Sequence, residues 1–271
     1  MPLTETASGL ARVAAAFARA KAAGRGALIP YVCAGDPDGA TSAGLLEALG
    51  PAGADIVEIG IPYGDPLADG PTIAAAAQRA LDGGTTFSLA LALAAQSERL
   101  GAPPALMFTY FNPVLQYGVE RFAEALLGSR ICGAIVPDVP LEEAGVLREA
   151  FEPRGLALPL LVAPTTPPAR AEAIAAASSG FVYLVSRLGV TSASKEPDFA
   201  WLAQRARTLR GTTALPLAIG FGISRPEHVR RAWEIADGAI VGSALIDAYG
   251  EARGEVAIDR AVHFMRTLRP A

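Results

Sequence analysis

The hydrophobic pattern of this chain changes its period repeatedly from one end to the other. Short runs of Val, Ile, Leu and Ala alternate with longer segments whose apolar residues recur at helical spacing. The runs at 27–33 (ALIPYVC), 54–61 (ADIVEIGI), 104–110 (PALMFTY), 133–138 (GAIVPD), 157–163 (ALPLLVA), 181–186 (FVYLVS), 216–221 (PLAIGF) and 238–242 (GAIVG) read as strands. They are apolar at nearly every position, as strands covered on both faces in a parallel sheet must be. Helical spacing appears in Leu45, Leu46 and Leu49 of 41–49, in Val119, Phe122, Ala123 and Leu126 of 119–127, and in Trp201, Leu202, Arg205 and Leu209 of 199–209. Thr85 and Thr86 after Gly83-Gly84 make a helix start, and Pro226-Glu227 behind Ser224 make another. A further helix is expected over 8–22, ahead of the first strand.

Eight strand-helix repeats with no Ser/Gly-rich linker predict an α/β fold: a single (β/α)8 TIM barrel over residues 1–271, with an extra N-terminal helix. The competing architecture is an open dinucleotide-binding sheet. It calls for a G-x-G-x-x-G run after the first strand, where this chain reads Cys33-Ala34-Gly35-Asp36-Pro37.

A chain of 271 residues, 51% of them apolar, can bury a large core without disulfide staples. Cys33 and Cys132 lie inside apolar runs and read as buried free thiols. The net charge of −4 and the absence of a basic block argue against nucleic acid or an anionic membrane surface as partner. The N-terminus lacks the pattern of a signal peptide, and apolar stretches are interrupted well before about 18 residues, the length of a membrane span. The cytoplasm is therefore the expected location.

In a barrel of this kind the working face is the C-terminal end of the strands. Glu58 is an ionisable group inside the otherwise apolar second strand. Apolar surroundings raise a carboxyl pKa, which suits a general acid/base; a solvated or ion-paired glutamate at a strand end is the other reading. The next loop, Tyr63 to Thr72, is stiffened by prolines and carries Asp65 and Asp69; Asp69 is either a site residue or the cap of a helix beginning near Pro71. Asp138 supports the site or caps a helix near Glu142. Gly220-Phe221-Gly222-Ile223-Ser224 follows the seventh strand, and Gly242-Ser243 follows the eighth, opening a short helix from Ala244 to Tyr249. Glycines let backbone N–H groups approach an anion, and this pair of loops is the usual phosphate site of the architecture. The segment from Ser186 to Pro197 reads as a mobile lid or as a plain surface connection.

Absences narrow the chemistry further. The two histidines, His228 and His263, fall in helical segments away from the strand ends, and no cluster has metal-ligand spacing. Neither lysine, Lys21 or Lys195, lies on a strand where a Schiff base would form. No G-x-S-x-G elbow is present. Carboxylate acid-base chemistry on a phosphorylated substrate remains, without metal.

The run Glu58-Ile59-Gly60-Ile61-Pro62-Tyr63-Gly64-Asp65-Pro66-Leu67-Ala68-Asp69-Gly70-Pro71-Thr72-Ile73 closely resembles the signature of the tryptophan synthase α subunit family. The resemblance continues through Tyr110-Phe111-Asn112-Pro113, Pro137-Asp138-Val139-Pro140, Tyr183-Leu184-Val185-Ser186-Arg187, Gly189-Val190-Thr191, Gly220-Phe221-Gly222-Ile223-Ser224 and Gly242-Ser243. It implies retro-aldol cleavage of indole-3-glycerol phosphate to indole and glyceraldehyde 3-phosphate. It also implies a β-subunit partner in an α2β2 assembly, with the pyridoxal phosphate cofactor belonging to that partner and none to this chain. By the same resemblance Glu58, Asp69 and Tyr183 are the catalytic group. Gly222, Gly242, Ser243, Ser192 and Thr191 hold the phosphate or close over it, Tyr31, Phe108 and Ile73 line the indole pocket, and Pro62 and Asp65 face the partner. Ser192 stands where the family usually has glycine, and Gly64 where it usually has Ser or Ala. A free-standing indole-glycerol phosphate lyase and an idle subunit that only activates its partner are the alternatives.

Overall fold

A computed structural model describes residues 7–186 and 196–269. The described chain opens with α1 (Gly9–Ala22), β1 (Ala27–Cys33), α2 (Gly39–Leu49), β2 (Val57–Gly60), α3 (Pro71–Asp82) and α4 (Phe87–Arg99). It continues through β3 (Ala105–Phe108), α5 (Phe111–Tyr117), α6 (Val119–Gly128), β4 (Ala134–Ile135), α7 (Gly145–Phe151), β5 (Leu161–Val162) and α8 (Pro168–Ala177). β6 (Val182–Val185), α9 (Phe199–Arg210), β7 (Leu217–Gly220), α10 (Pro226–Ile235), β8 (Gly238–Val241), α11 (Ser243–Tyr249) and α12 (Gly254–Leu268) complete it.

The strands pair in parallel in the order β4-β3-β2-β1-β8-β7-β6-β5. The two edge strands meet through a parallel bridge between Gly133 and Ala157, where Ala157 N–H donates to Cys132 O (2.8 Å) and Ala134 N–H donates to Ala157 O (3.0 Å). That contact closes the ring. Gly133 has φ +153°, and a β-carbon there would collide with the Ala157 backbone, so the closure requires glycine at this position.

All eight expected strands form, but β4 and β5 are only two residues long. Pro137 follows β4, and Pro159 separates the Ala157 bridge from β5; proline has no N–H for the ladder. The helix expected over 8–22 is α1, started by Ser8, whose hydroxyl accepts from Ala11 N–H. Its buried Phe17 packs on Phe181 before β6 (5.7 Å between ring centres) and lies next to Gly238 at the start of β8. α1 therefore covers the N-terminal end of the barrel. Cys33 and Cys132 are buried free thiols, as expected. No described helix is long and apolar enough to cross a membrane.

A charged cluster ties three parts of the C-terminal face together. Asp36, fully buried after β1, accepts from Arg79 Nε of α3 at 2.7 Å and from the Tyr249 hydroxyl of α11 at 2.8 Å. Removing one partner of a buried ion pair leaves an uncompensated charge. Arg79→Met is expected to lower the unfolding free energy by about 3 kcal/mol, read from urea denaturation.

Candidate active site

The strand register sets the site. In β1 and β2, Tyr31 stands opposite Glu58, which in turn stands opposite Leu106 of β3, and Gly60 stands opposite Phe108. Paired residues of parallel strands share a face, so Tyr31, Glu58 and Phe108 point to the same side, into the barrel. On the other half of the ring Tyr183 of β6 stands opposite Ala218 of β7. These side chains line one pocket together with Asp69, Ile73, Phe221, Gly222, Ile223, Ile240, Gly242 and Ser243. Nine residues expected in the site thus come together: Glu58, Asp69, Tyr183, Gly222, Gly242, Ser243, Tyr31, Phe108 and Ile73. Thr191 and Ser192 lie outside the described residues. In the β2–α3 loop Pro62 is buried and Asp65 is exposed.

Glu58 is 1% exposed, and its Oε1 has no hydrogen-bond partner among the described residues. Burial alone pushes its carboxyl up to about 8. Asp69 behaves differently. Burial raises it to about 6, while a hydrogen bond from the Tyr110 hydroxyl opposes the shift. Two carboxyls in one pocket are thus split by their surroundings: one is held protonated at neutral pH and the other mostly ionised. Asp69 does not cap α3, whose N-cap is Gly70 without a side-chain bond.

Tyr110 is a supporting residue that sequence reasoning did not assign. Its hydroxyl accepts from Ala68 N–H (3.0 Å) and bonds Asp69, fixing the acidic end of the loop. The signal was present in the run Tyr110-Phe111-Asn112-Pro113. Asp138 does not cap a helix near Glu142: it lies outside the pocket, and its carboxylate accepts from Phe111 N–H, tying down the start of α5 next to Tyr110. Proximity in the barrel outweighs proximity in sequence there.

The walls are aromatic. Tyr31 meets Phe108 edge to face at 5.6 Å, and Tyr183 meets Phe221 at 5.9 Å. Two strand glycines make room for the tyrosines, since a β-carbon on Gly60 would strike the Tyr31 hydroxyl and one on Gly220 the Tyr183 hydroxyl. Gly220→Ala is expected to push Tyr183 off its position, lowering stability by about 1–3 kcal/mol and also lowering turnover. A thermal melt and a steady-state assay of the same variant check it.

The far end of the pocket is backbone. Phe221 and Gly222 have φ +67° and +83°, and the Ser186 hydroxyl donates to the Phe221 carbonyl. A left-handed phenylalanine is strained, a feature that gathers at functional sites. The N–H groups of Gly222, Ile223, Ser243 and Ala244 donate to no described residue. Gly222, Ile223 and Ser243 line the pocket, and unmatched backbone donors of this kind suit an anion. A wider cleft at the opposite end of the barrel, lined by Lys21, Arg210, Arg230 and Trp233 among others, shares no residue with this pocket. Among the described residues no group of three His, Cys, Asp or Glu could hold a metal ion.

Residues 17–269 match the family model of the tryptophan synthase alpha chain. This chain belongs to the tryptophan synthase alpha chain family. It is 42% identical to the tryptophan synthase alpha chain of Arabidopsis thaliana, covering 100% of this chain and 99% of the relative. With that of Chloroflexus aurantiacus the identity is 46%, covering 97% and 98%. Tryptophan synthase of Mycobacterium tuberculosis superposes with a TM-score of 0.88 at 36% identity, over 97% of each chain. A chain of the tryptophan synthase complex from Pyrococcus furiosus gives 0.82 at 34% identity, over 90% of this chain and 98% of that one. The (β/α)8 barrel expected from the alternating pattern is the fold of these tryptophan synthase structures.

Proposed function

We propose that this chain cleaves indole-3-glycerol phosphate to indole and glyceraldehyde 3-phosphate in tryptophan biosynthesis, with Glu58 and Asp69 as its acid-base pair. Membership of the tryptophan synthase alpha chain family supports the activity. One observation carries the assignment of residues: a buried carboxyl with a free oxygen, raised to about 8, shares a pocket with a second carboxyl raised only to about 6.

The substrate lies with its phosphate on the N–H groups of Gly222, Ile223, Ser243 and Ala244 and its indole ring between Tyr31, Phe108 and Ile73. Protonated Glu58 gives its proton to C3 of the ring. The positive charge that appears on the ring N–H is met by the Asp69 carboxylate. Glu58, now a carboxylate, takes the proton of the side-chain hydroxyl next to C3. The bond from C3 to that carbon then breaks, its electrons returning to the ring nitrogen, and the hydroxyl becomes the aldehyde. Glu58 ends as it began, so no net proton is consumed. Tyr183 helps position the reacting groups.

The partner is a tryptophan synthase β subunit, which carries the pyridoxal phosphate. Exposed Asp65 and the neighbouring Leu67, in the same loop as Pro62 and Asp69, give a surface through which the two sites communicate. A cytoplasmic location fits this assembly. The direct test is to incubate the chain with indole-3-glycerol phosphate and measure indole, with and without a β subunit. Indole release that the partner accelerates is expected; no indole under either condition overturns the reading.

A further inference from the structure

His228 was expected to stand apart from the strand ends, and it does not. α10 begins just behind the loop after β7, and its first turn sets the buried His228 ring against that loop. Nδ1 lies 3.2 Å from the Gly222 carbonyl oxygen and 3.3 Å from the backbone nitrogen of Ser224, whose hydroxyl is 3.4 Å away. Nε2 lies 2.9 Å from a Glu196 carboxylate oxygen and 2.8 Å from Nη2 of Arg225. Each ring nitrogen thus faces one group that can only accept and one N–H group that can only donate.

A neutral ring carries one hydrogen and serves only half of these groups. Either Nδ1–H donates to Gly222 while Arg225 donates to Nε2, or Nε2–H donates to Glu196 while Ser224 N–H donates to Nδ1. Burial decides between them. Gly222 is buried, and no other described group donates to its carbonyl. Ser224 is half-exposed, so an unmatched N–H costs less there, and the exposed Glu196 and Arg225 already pair with each other. An unmatched buried carbonyl costs about 1–3 kcal/mol, so the hydrogen belongs on Nδ1.

That hydrogen bond has a consequence in the pocket. The Gly222–Ile223 peptide is trans, because the one cis bond among the described residues is Asp36–Pro37. In a planar trans peptide the carbonyl and the following N–H point in opposite directions. Gly222 and Ile223 line the pocket, and His228 does not. Holding the Gly222 carbonyl back toward α10 therefore turns the Ile223 N–H forward, toward the anion end. We propose that His228 is the positioning residue of the anion site: its Nδ1–H holds the Gly222 carbonyl and so aims the Ile223 N–H at the substrate phosphate. The inference rests on reading this end of the pocket as the phosphate end.

The test compares His228→Leu, His228→Asn and His228→Gln. The Asn amide nitrogen sits near the place of Nδ1 and can donate to Gly222; the Gln amide sits near the place of Nε2 and cannot. Binding of glycerol 3-phosphate and of indole to the whole chain is measured by calorimetry or NMR, alongside kcat and KM for indole-3-glycerol phosphate. Leu is expected to weaken glycerol 3-phosphate binding and raise KM by about tenfold, the worth of one hydrogen bond to a charged group, with kcat and indole binding within about twofold. Asn is expected to restore most of the loss and Gln none. Unchanged glycerol 3-phosphate binding in the Leu variant overturns the proposal. So does an equal fall in indole binding, or a rescue by Gln as good as that by Asn. If the unsubstituted chain binds glycerol 3-phosphate but releases no indole, the proposed function fails while the three variants still decide the role of His228. If it binds no glycerol 3-phosphate, both fail.

Discussion

Replacing Glu58 by Gln is expected to end indole release and, at the same time, to make the protein harder to unfold. The amide fits the same space but can neither give a proton to C3 nor take one back. A general acid-base group contributes roughly 10²–10⁴-fold to a rate, and here one group serves both transfers, so a loss of about 10³-fold or more in kcat is expected. Stability moves the other way because Glu58 is held at about 8 against an ordinary 4.5. Below about 4.5 the carboxyl is protonated in both folded and unfolded chains, and burial carries no ionisation penalty. As pH rises toward 8 only the unfolded chain ionises, which favours unfolding. Above about 8 both forms ionise and the loss levels off. Near pH 7 the accumulated loss is about 3 kcal/mol, which the Gln variant escapes. The unmatched polar surroundings are common to the amide and the protonated acid, so that penalty largely cancels in the comparison. Chemical denaturation of both proteins from pH 4 to 9 checks the sign and the window. A variant that is inactive but no more stable would mean the carboxyl is not held protonated in the folded protein, and a variant that still releases indole would remove Glu58 from the chemistry.

The pH profile of kcat/KM is expected to be a bell with limbs near 6 and 8. The acid limb belongs to Asp69, which must be ionised to meet the charge on the indole ring and is raised to about 6 by burial. The alkaline limb belongs to Glu58, which must begin protonated and loses its proton at about 8. Each pH unit beyond a limb lowers the rate by about tenfold. Asp69→Asn separates the two groups. It is expected to lower kcat by about 10²–10³-fold, the usual effect of deleting one group placed to stabilise a developing charge. Its residual activity should keep the alkaline limb and lose the acid one. An acid limb that survives in the Asn variant would reassign that titration to another group. Tyr110, whose hydroxyl bonds Asp69, offers an independent check: Tyr110→Phe removes the bond that opposes the upward shift, so the acid limb should move to higher pH.

The order of elements was legible because a strand buried on both faces must be apolar throughout, and such runs stand out against helical spacing. For the same reason Glu58 was legible, being an acid set between Ile56-Val57 and Ile59 in the middle of such a run. The glycines at 222 and 242 were legible from their place after the seventh and eighth strands. Strand length was less so: β4 ends ahead of Pro137 and β5 begins only after Pro159, and an apolar run does not record how many of its N–H groups find partners.

What the sequence determined by itself was local: periodicity, the breakers between elements, and the rank of each strand, which fixes the end of the barrel where chemistry can occur. Only the tertiary structure decided which distant groups meet. Asp36 and Tyr249 are 213 residues apart and share one hydrogen bond. Asp138 serves the helix after the neighbouring strand rather than the one that follows it. His228 reaches the Gly222 carbonyl because α10 folds back under its own loop. The split between Glu58 and Asp69 likewise comes from the closed barrel, for a pKa depends on the solvent excluded and the partners gathered around a group, and a linear chain specifies neither until the ring is shut.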